Sequence, residues 1–466
     1  MNRILVHHIA ALLLITLSIA ANAQSLPERL ENLLNMPLLR HSEAGISVYD
    51  LTDRKVIFTH NDKKTCRPAS TEKVITAVSA LWKLGTDYQV STQLLYDGNI
   101  TDGTLHGNLY IKGGFDSEFT YEDMQQLAAN AAQAGIRRIE GSIIGDVSMK
   151  DSLYYGEGWS WDDAPYYFQP YLSPLIFNKG CVEVTVSPTQ KDSLAYVSIS
   201  PRSSYYTLNN NARNYCPQAG KLKIGRNWMY QSNEIEVSGN CSGTTRRTVP
   251  VFDSASFFLY AFSECLQHNG IETGVYEFGQ VPEHANRIGE IKRPITAIIK
   301  QAMKKSDNLS AEALFYNLAR WKSPERPAHA SDGTEAIEQC IEELGYITDH
   351  YQIADGSGVS LYNYISTDLL LGFLIHAYDN KAIFDILYEA LPIAGVDGTL
   401  SNRMKKTKAF RRVRAKTGTV TGISSLAGYA KASNGHLLAF VIINQNVLKG
   451  SQARAFQDKV CSELCK

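Results

Sequence analysis

The sequence predicts a mixed α/β (α+β) protein: an antiparallel sheet covered by helices, built from the two ends of the chain, with β-rich structure inserted between them. Three observations carry this expectation. Strand-like runs and a long apolar helix occupy residues 45–84. Further strands and an amphipathic helix occupy residues 413–465. Between about 93 and 285 the texture changes to short alternating runs broken by Gly, Asn, Ser and Pro. At 466 residues, with 44% hydrophobic and 20% charged residues, the chain is globular and too long for one ordinary core.

The elements follow in order. Met1-Asn2-Arg3 is a short positive start, Ile9 to Ala20 is apolar, and Ala21-Asn22-Ala23 is a small-x-small site before Gln24. That pattern reads as a signal peptide over 1–23, so the rest is expected to be exported. Gly45-Ile-Ser-Val-Tyr49 and Lys55-Val-Ile-Phe-Thr59 read as strands joined through Thr52-Asp53. A helix is predicted from Ser70 to Leu84, with Pro68 ahead of it and Gly85 at its end; its apolar residues occupy more than one face, which implies burial on most sides. At the far end, strands over 413–419 and 424–432 lead through an Asn434-Gly435 hairpin into a nearly continuous apolar strand, 436–444. A helix over 451–465 closes the chain. Residues 24–92 and 286–466 are therefore assigned to one domain and 93–285 to an insertion. No later segment reads as a membrane span.

The formal net charge of −1 supplies no basic field, so nucleic acid is not an expected partner. The eight cysteines permit disulfides in an exported protein. Cys216 with Cys241 is the favoured single pairing; Cys461 and Cys465, one helical turn apart, suit two buried thiols. None of the cysteine spacings suits zinc, and no cofactor or metal is expected.

Three short motifs carry chemistry: Ser70-Thr71-Glu72-Lys73, Ser306-Asp307-Asn308 and Lys416-Thr417-Gly418. An S-x-x-K alone should occur about twice by chance in such a chain, so the ordered set is the signal. Ser70 and Lys73 stand at i and i+3, on one helix face, at a helix start where free N–H groups and the dipole favour negative charge on oxygen. A neutral Lys73 can serve as base, and burial near a second cation, Lys416, would lower its pKa. Ser306 is then a proton relay and Asn308 a holder of a substrate amide. Lys416 and Thr417 suit a terminal carboxylate, and Gly418 suits close approach of the acyl chain to the strand. The backbone N–H groups of Ser70 and Thr419 are the candidate oxyanion hole.

These motifs, with Leu109-Tyr-Ile-Lys-Gly-Gly114, Asp355-Gly-Ser-Gly358, Ala394-Gly395 through Asp397-Gly-Thr-Leu400 and Val413-Arg-Ala-Lys-Thr-Gly-Thr419, make the chain similar to the low-molecular-mass class C penicillin-binding proteins, the D-alanyl-D-alanine carboxypeptidase/endopeptidase family. The resemblance implies a β-lactamase/transpeptidase-like domain with inserted domains. It also implies peptidoglycan stem peptides as substrate and β-lactam antibiotics as covalent inhibitors. By motif match it places a pocket for the free amine of the peptide's diamino acid at Trp159 and Asp162. Gly114-Phe115-Asp116-Ser117 departs from the family's Gly- and Pro-richer turn. Asp355-Gly-Ser357-Gly reads as a structural turn, not a second nucleophile.

Rival readings remain. A β-lactamase would need a positioned base for deacylation, and no E-x-x-x-N segment follows the first motif. A zinc peptidase is disfavoured by the lack of H-E-x-x-H. A non-catalytic β-lactam sensor or wall-binding scaffold would keep the motifs and turn over slowly.

Overall fold

The computed structural model describes residues 24–466; the expected signal peptide lies outside the described residues. The two chain ends meet in one five-stranded antiparallel sheet made of β1 (Glu43–Asp50), β2 (Lys55–His60), β3 (Val413–Val420), β4 (Gly422–Lys431) and β5 (Leu437–Val447), in the order β3-β4-β5-β1-β2. Register aligns Lys416 with Ala427 and Gly45 with Ile443. β5 is apolar almost throughout because both of its faces are covered, and its two-residue period divides its side chains between two cores.

Phe440 and Ile442 join Ile46, Val48 and Leu426 under α8 (Gly450–Leu464) and α1 (Leu26–Leu33). Ala439, Val441 and Ile443 face the larger core. That core holds α2 (Glu72–Leu84), α3 (Ile295–Lys304), α4 (Asn308–Lys322), α5 (Ala330–Glu343), α6 (Thr367–Asp379) and α7 (Lys381–Ala390). Every residue of α2 from Glu72 to Leu81 is buried, polar ones included. Each large apolar side chain so buried contributes roughly 1.5–3 kcal/mol.

One boundary differs from expectation. The α-helix begins at Glu72, and Ala69–Thr71, with Ser70 at its centre, is a single 3-10 turn. Ala69 takes a left-handed φ of 49°, which no α-helix accommodates, so the regular spiral starts later.

Between the halves, Gln89–Tyr96 pairs along its whole length with Asn286–Pro294. These strands form the end of a second five-stranded sheet that continues through Leu109–Lys112, Ile143–Asp146 and Tyr276–Phe278. Two helices that the alternating runs did not announce, Tyr121–Gln133 and Ser254–His268, pack in its core, and three three-stranded sheets extend it. The divergent turn is filled by Phe115, which adopts φ 64°, is fully buried and stacks on Tyr316 at 5.6 Å. Core packing therefore holds a backbone conformation that glycine would take freely.

All eight cysteines are free thiols, so the expected Cys216–Cys241 bond is absent. The two lie on neighbouring strand ends, where the Tyr215 N–H reaches the Cys241 carbonyl, but the sulfurs turn apart. Cys216 Sγ faces Gln218 and Cys241 Sγ faces the Gly243 carbonyl.

Candidate active site

The larger core places the first two motifs against each other. Lys73, the second residue of α2, is fully buried, and its Nζ donates to Ser70 Oγ (3.0 Å), Asn308 Oδ1 (2.7 Å) and the Ser357 carbonyl (2.6 Å). Burial pulls its ammonium down to about 8, against the opposing pull of Asp355, Glu312, Asp307 and Glu72. Asn308 opens α4 behind its N-cap Asp307, whose carboxylate accepts from the Ser310 N–H at 2.7 Å. Its Nδ2 donates one proton to the Phe168 carbonyl at 2.5 Å. Asn308 thus fixes Lys73 and keeps a second Nδ2 N–H beyond the one given to Phe168.

The third motif meets the second. Lys416 in β3 is also fully buried; its Nζ donates to Ser306 Oγ at 2.7 Å and to the Thr417 carbonyl at 2.6 Å. Burial first, and then the charge of Lys73, push its ammonium well below the ordinary lysine range. Ser306 takes a left-handed φ of 57° between α3 and α4. Thr417 Oγ1 donates to Thr399 Oγ1 at 2.7 Å, and Thr419 is exposed next to them.

Two glycines set the spacing. A Cβ on Gly418 would lie 2.1 Å from Ser425 Oγ and 2.9 Å from both the Pro68 carbonyl and the Ser70 nitrogen. Gly418 therefore lets β3 lie against the Ser70 turn, a role the sequence reading had given to substrate approach. A Cβ on Gly358 would meet the Ala69 carbonyl at 2.0 Å, so the Asp355-Gly-Ser-Gly turn braces the same peptide from the other side. The Ser70 N–H side consequently faces the Gly418–Thr419 edge of β3, as an oxyanion hole requires. Ser357 contributes its carbonyl to Lys73 and its Oγ to Asp355.

The insertion reaches this site at three points. Phe168 holds Asn308, Lys179 bonds Glu118 (2.5 Å), Asp307 (3.1 Å) and Ser310 (3.0 Å), and the Trp159 indole N–H donates to Asp355 at 2.8 Å. Burial works against ionisation of Asp307, but Lys179 and the Ser310 hydrogen bonds outweigh it and hold its carboxyl below the usual range. Trp159 is thus part-buried and hydrogen-bonded, whereas Asp162 is exposed in the 3-10 turn Trp161–Asp163. The sequence reading missed Glu72 and Glu312, both buried beside Lys73. The i,i+4 spacing of Glu312 from Asn308 carried a usable signal for one of them. Among the described residues, Asp50, Asp53 and His436 bring possible metal ligands within 4.8 Å of one another. They sit at a hairpin end of the sheet and include the Asp50–His436 pair at 2.7 Å.

The D-Ala-D-Ala carboxypeptidase 3 (S13) family matches residues 26–464. The chain is 30% identical over 469 residues to a D-alanyl-D-alanine carboxypeptidase of Actinomadura sp. (strain R39), covering 96% of this chain and 85% of that one. It is 28% identical over 423 residues to D-alanyl-D-alanine carboxypeptidase DacB of Haemophilus influenzae, covering 88% and 86% respectively. The solved penicillin binding protein 4 of Haemophilus influenzae superposes with a TM-score of 0.81 at 26% identity, over 92% of this chain and 97% of that one.

Proposed function

The chain belongs to the D-Ala-D-Ala carboxypeptidase 3 (S13) family and is a serine-type D-Ala-D-Ala carboxypeptidase, and we propose the residues through which it works. Neutral Lys73 takes the Ser70 proton as Ser70 Oγ attacks the carbonyl carbon of the penultimate D-alanine. The Ser70 and Thr419 N–H groups hold the resulting oxyanion. Ser306, hydrogen-bonded to Lys416, relays to the departing D-alanine amine the proton that Lys73 took from Ser70, so that Ser306 keeps its hydroxyl and Lys73 returns to its neutral form. Water then hydrolyses the Ser70 ester, with Lys73 again as base. Lys416 and Thr417 receive the substrate's terminal carboxylate. Asn308 acts by fixing Lys73.

One observation carries this reading: a fully buried Lys73 amine 3.0 Å from Ser70 Oγ, with its ammonium pulled down to about 8. Stem peptides of peptidoglycan are the substrates, both free ends and cross-links, and β-lactams acylate Ser70. Export follows from the signal-like residues 1–23, which places the enzyme beside the wall. No described helix is long and apolar enough to cross a membrane. The insertion is taken to run from Gln89 to Pro294, wider than 93–285, because those two strands pair with each other.

The test compares the purified protein with Ser70→Ala for D-alanine release from a stem pentapeptide and for covalent labelling by benzylpenicillin. Both activities are expected to vanish in the variant. In the wild type, kcat/KM should rise with pH through about 8, because the base works only when unprotonated. Labelling at Ser70 without any release would replace the peptidase reading with the sensor reading.

A further inference from the structure

The steps proposed above leave two carboxyl groups beside Lys73 without a task. Glu72 and Glu312 are 0% and 1% exposed. Neither Glu72 oxygen has a hydrogen-bond partner; Glu312 Oε1 has none, and its Oε2 accepts one long bond, from the Gly356 N–H at 3.4 Å. Asp355, in the same cluster, is built in the opposite way. Its carboxylate accepts from the Gly358 and Ser360 N–H groups and Asn363 Nδ2 at 2.7 Å each, from Trp159 Nε1 at 2.8 Å and from Ser357 Oγ at 3.2 Å. Converging donors stabilise an anion inside a protein, and a buried carboxyl without them gives up its charge.

Charge balance points the same way. The groups acting on Glu72 are Asp355, Lys73 and Glu312. Those acting on Glu312 include Asp355 and Lys73, and Lys150 also senses it. Lys150 is already spent on Asp151 at 2.8 Å. Of the four carboxyl groups that act on Lys73, Asp307 is already paired with Lys179 at 3.1 Å; among the described residues the single free ammonium of Lys73 therefore faces Asp355, Glu72 and Glu312, and Asp355 alone suffices to balance it.

We infer that Glu72 and Glu312 are held as neutral carboxylic acids, positioning residues whose lack of charge leaves the Lys73 amine free to lose its proton. Were both ionised, they would pin Lys73 as an ammonium and remove the base. Burial pushes both groups up, Glu312 to about 8 with help from the Asp355 charge. The inference rests on Lys73 acting as base, but the state of the two acids can be read without reference to activity.

Infrared difference spectra between the wild type and Glu312→Gln, and between the wild type and Glu72→Gln, measured near neutral pH, should each show loss of a protonated-carboxyl C=O band. The isosteric amides should also keep kcat/KM within about threefold and leave its acid limb within about 0.3 pH unit of the wild type. A carboxylate band lost instead, or an acid limb moved down by about one unit or more, overturns the inference, because an anion had then been holding the Lys73 proton. Stability gives a third readout. A carboxyl whose pKa is raised by folding stabilises the protein fully below its unfolded value and loses that contribution as pH rises through about 8. The stability advantage of Glu312→Gln over the wild type should therefore grow from pH about 5 to about 9; an advantage independent of pH counts against the inference. If the acid bands appear while Lys73→Met retains activity, the base assignment fails, and with it the positioning role of the two acids, while their neutral state stands.

Discussion

Lys73 and Lys416 are both fully buried, yet the fold treats them differently. Lys73 has three acceptors and the carboxylates of Asp355 and Asp307 to oppose its burial, and its ammonium falls only to about 8. Lys416 has one hydroxyl and one carbonyl, no carboxylate among its partners, and the charge of Lys73 pushing in the same direction as burial. A buried cation without a counter-charge costs several kcal/mol. The first lysine is provided for by the protein. In the proposed mechanism the second is completed by the substrate, whose terminal carboxylate supplies the counter-charge.

The comparison breaks or holds on two substitutions. Lys73→Met should lower kcat/KM by about 10,000-fold or more, mostly in kcat, as expected when a base acting with a nucleophile is removed. Lys416→Met should lower it by about 100- to 1,000-fold, largely through KM, and should erase the preference for a free C-terminal carboxylate over its amide. Steady-state kinetics on the paired acid and amide peptides read both. Equal losses in kcat with KM unchanged would show that the two lysines do the same work.

The sequence disclosed one half of this contrast and hid the other. The i,i+3 spacing of Ser70 and Lys73 and the strand carrying Lys416 were legible because they are local patterns. The acid cluster was not. Glu312 and Asp355 reach Lys73 only through packing of α2, α4 and the Asp355 turn, and spacing along a chain says little about such contacts. Ala69 at positive φ was invisible for another reason, since alanine rarely adopts it and nothing in the residue type announces the 3-10 turn that presents Ser70. Asn308 was identified as a site residue, but its bonds to Lys73 and to the Phe168 carbonyl, 140 residues away in sequence, are long-range contacts that only the coordinates reveal.

A smaller loss is expected where β3 meets the Ser70 turn. Gly418→Ala puts a Cβ 2.1 Å from Ser425 Oγ, a hydroxyl that itself donates to the Pro68 carbonyl at 2.6 Å. Relief requires the turn to move away from β3. The expected cost is about 1–3 kcal/mol of stability, read as a lower denaturant midpoint. Penicillin acylation should slow by roughly tenfold, since displacement of the nucleophile by a fraction of an ångström lengthens its approach. Acylation at the wild-type rate would separate Gly418 from the Ser70 half of the site and return it to the substrate, as the sequence alone had it.

The smallest effect is expected at the proposed amine pocket, because the two residues assigned to it differ in what they can still offer. Trp159 is already bonded to Asp355, so it can present only its ring. Asp162 is exposed, and an ion pair at an exposed carboxylate is worth about 0–1 kcal/mol. Discrimination between a stem peptide with a free side-chain amine and its acetylated form should therefore reach about fivefold at most. It should disappear in Asp162→Asn and shrink as salt is raised, since exposed charges are screened within about 10 Å at moderate ionic strength. A preference of about 100-fold that survives Asp162→Asn would place the amine elsewhere. The half-buried Asp163 is then the group to examine, because burial and its neighbour Asp162 already raise its pKa and an arriving ammonium would reverse that shift.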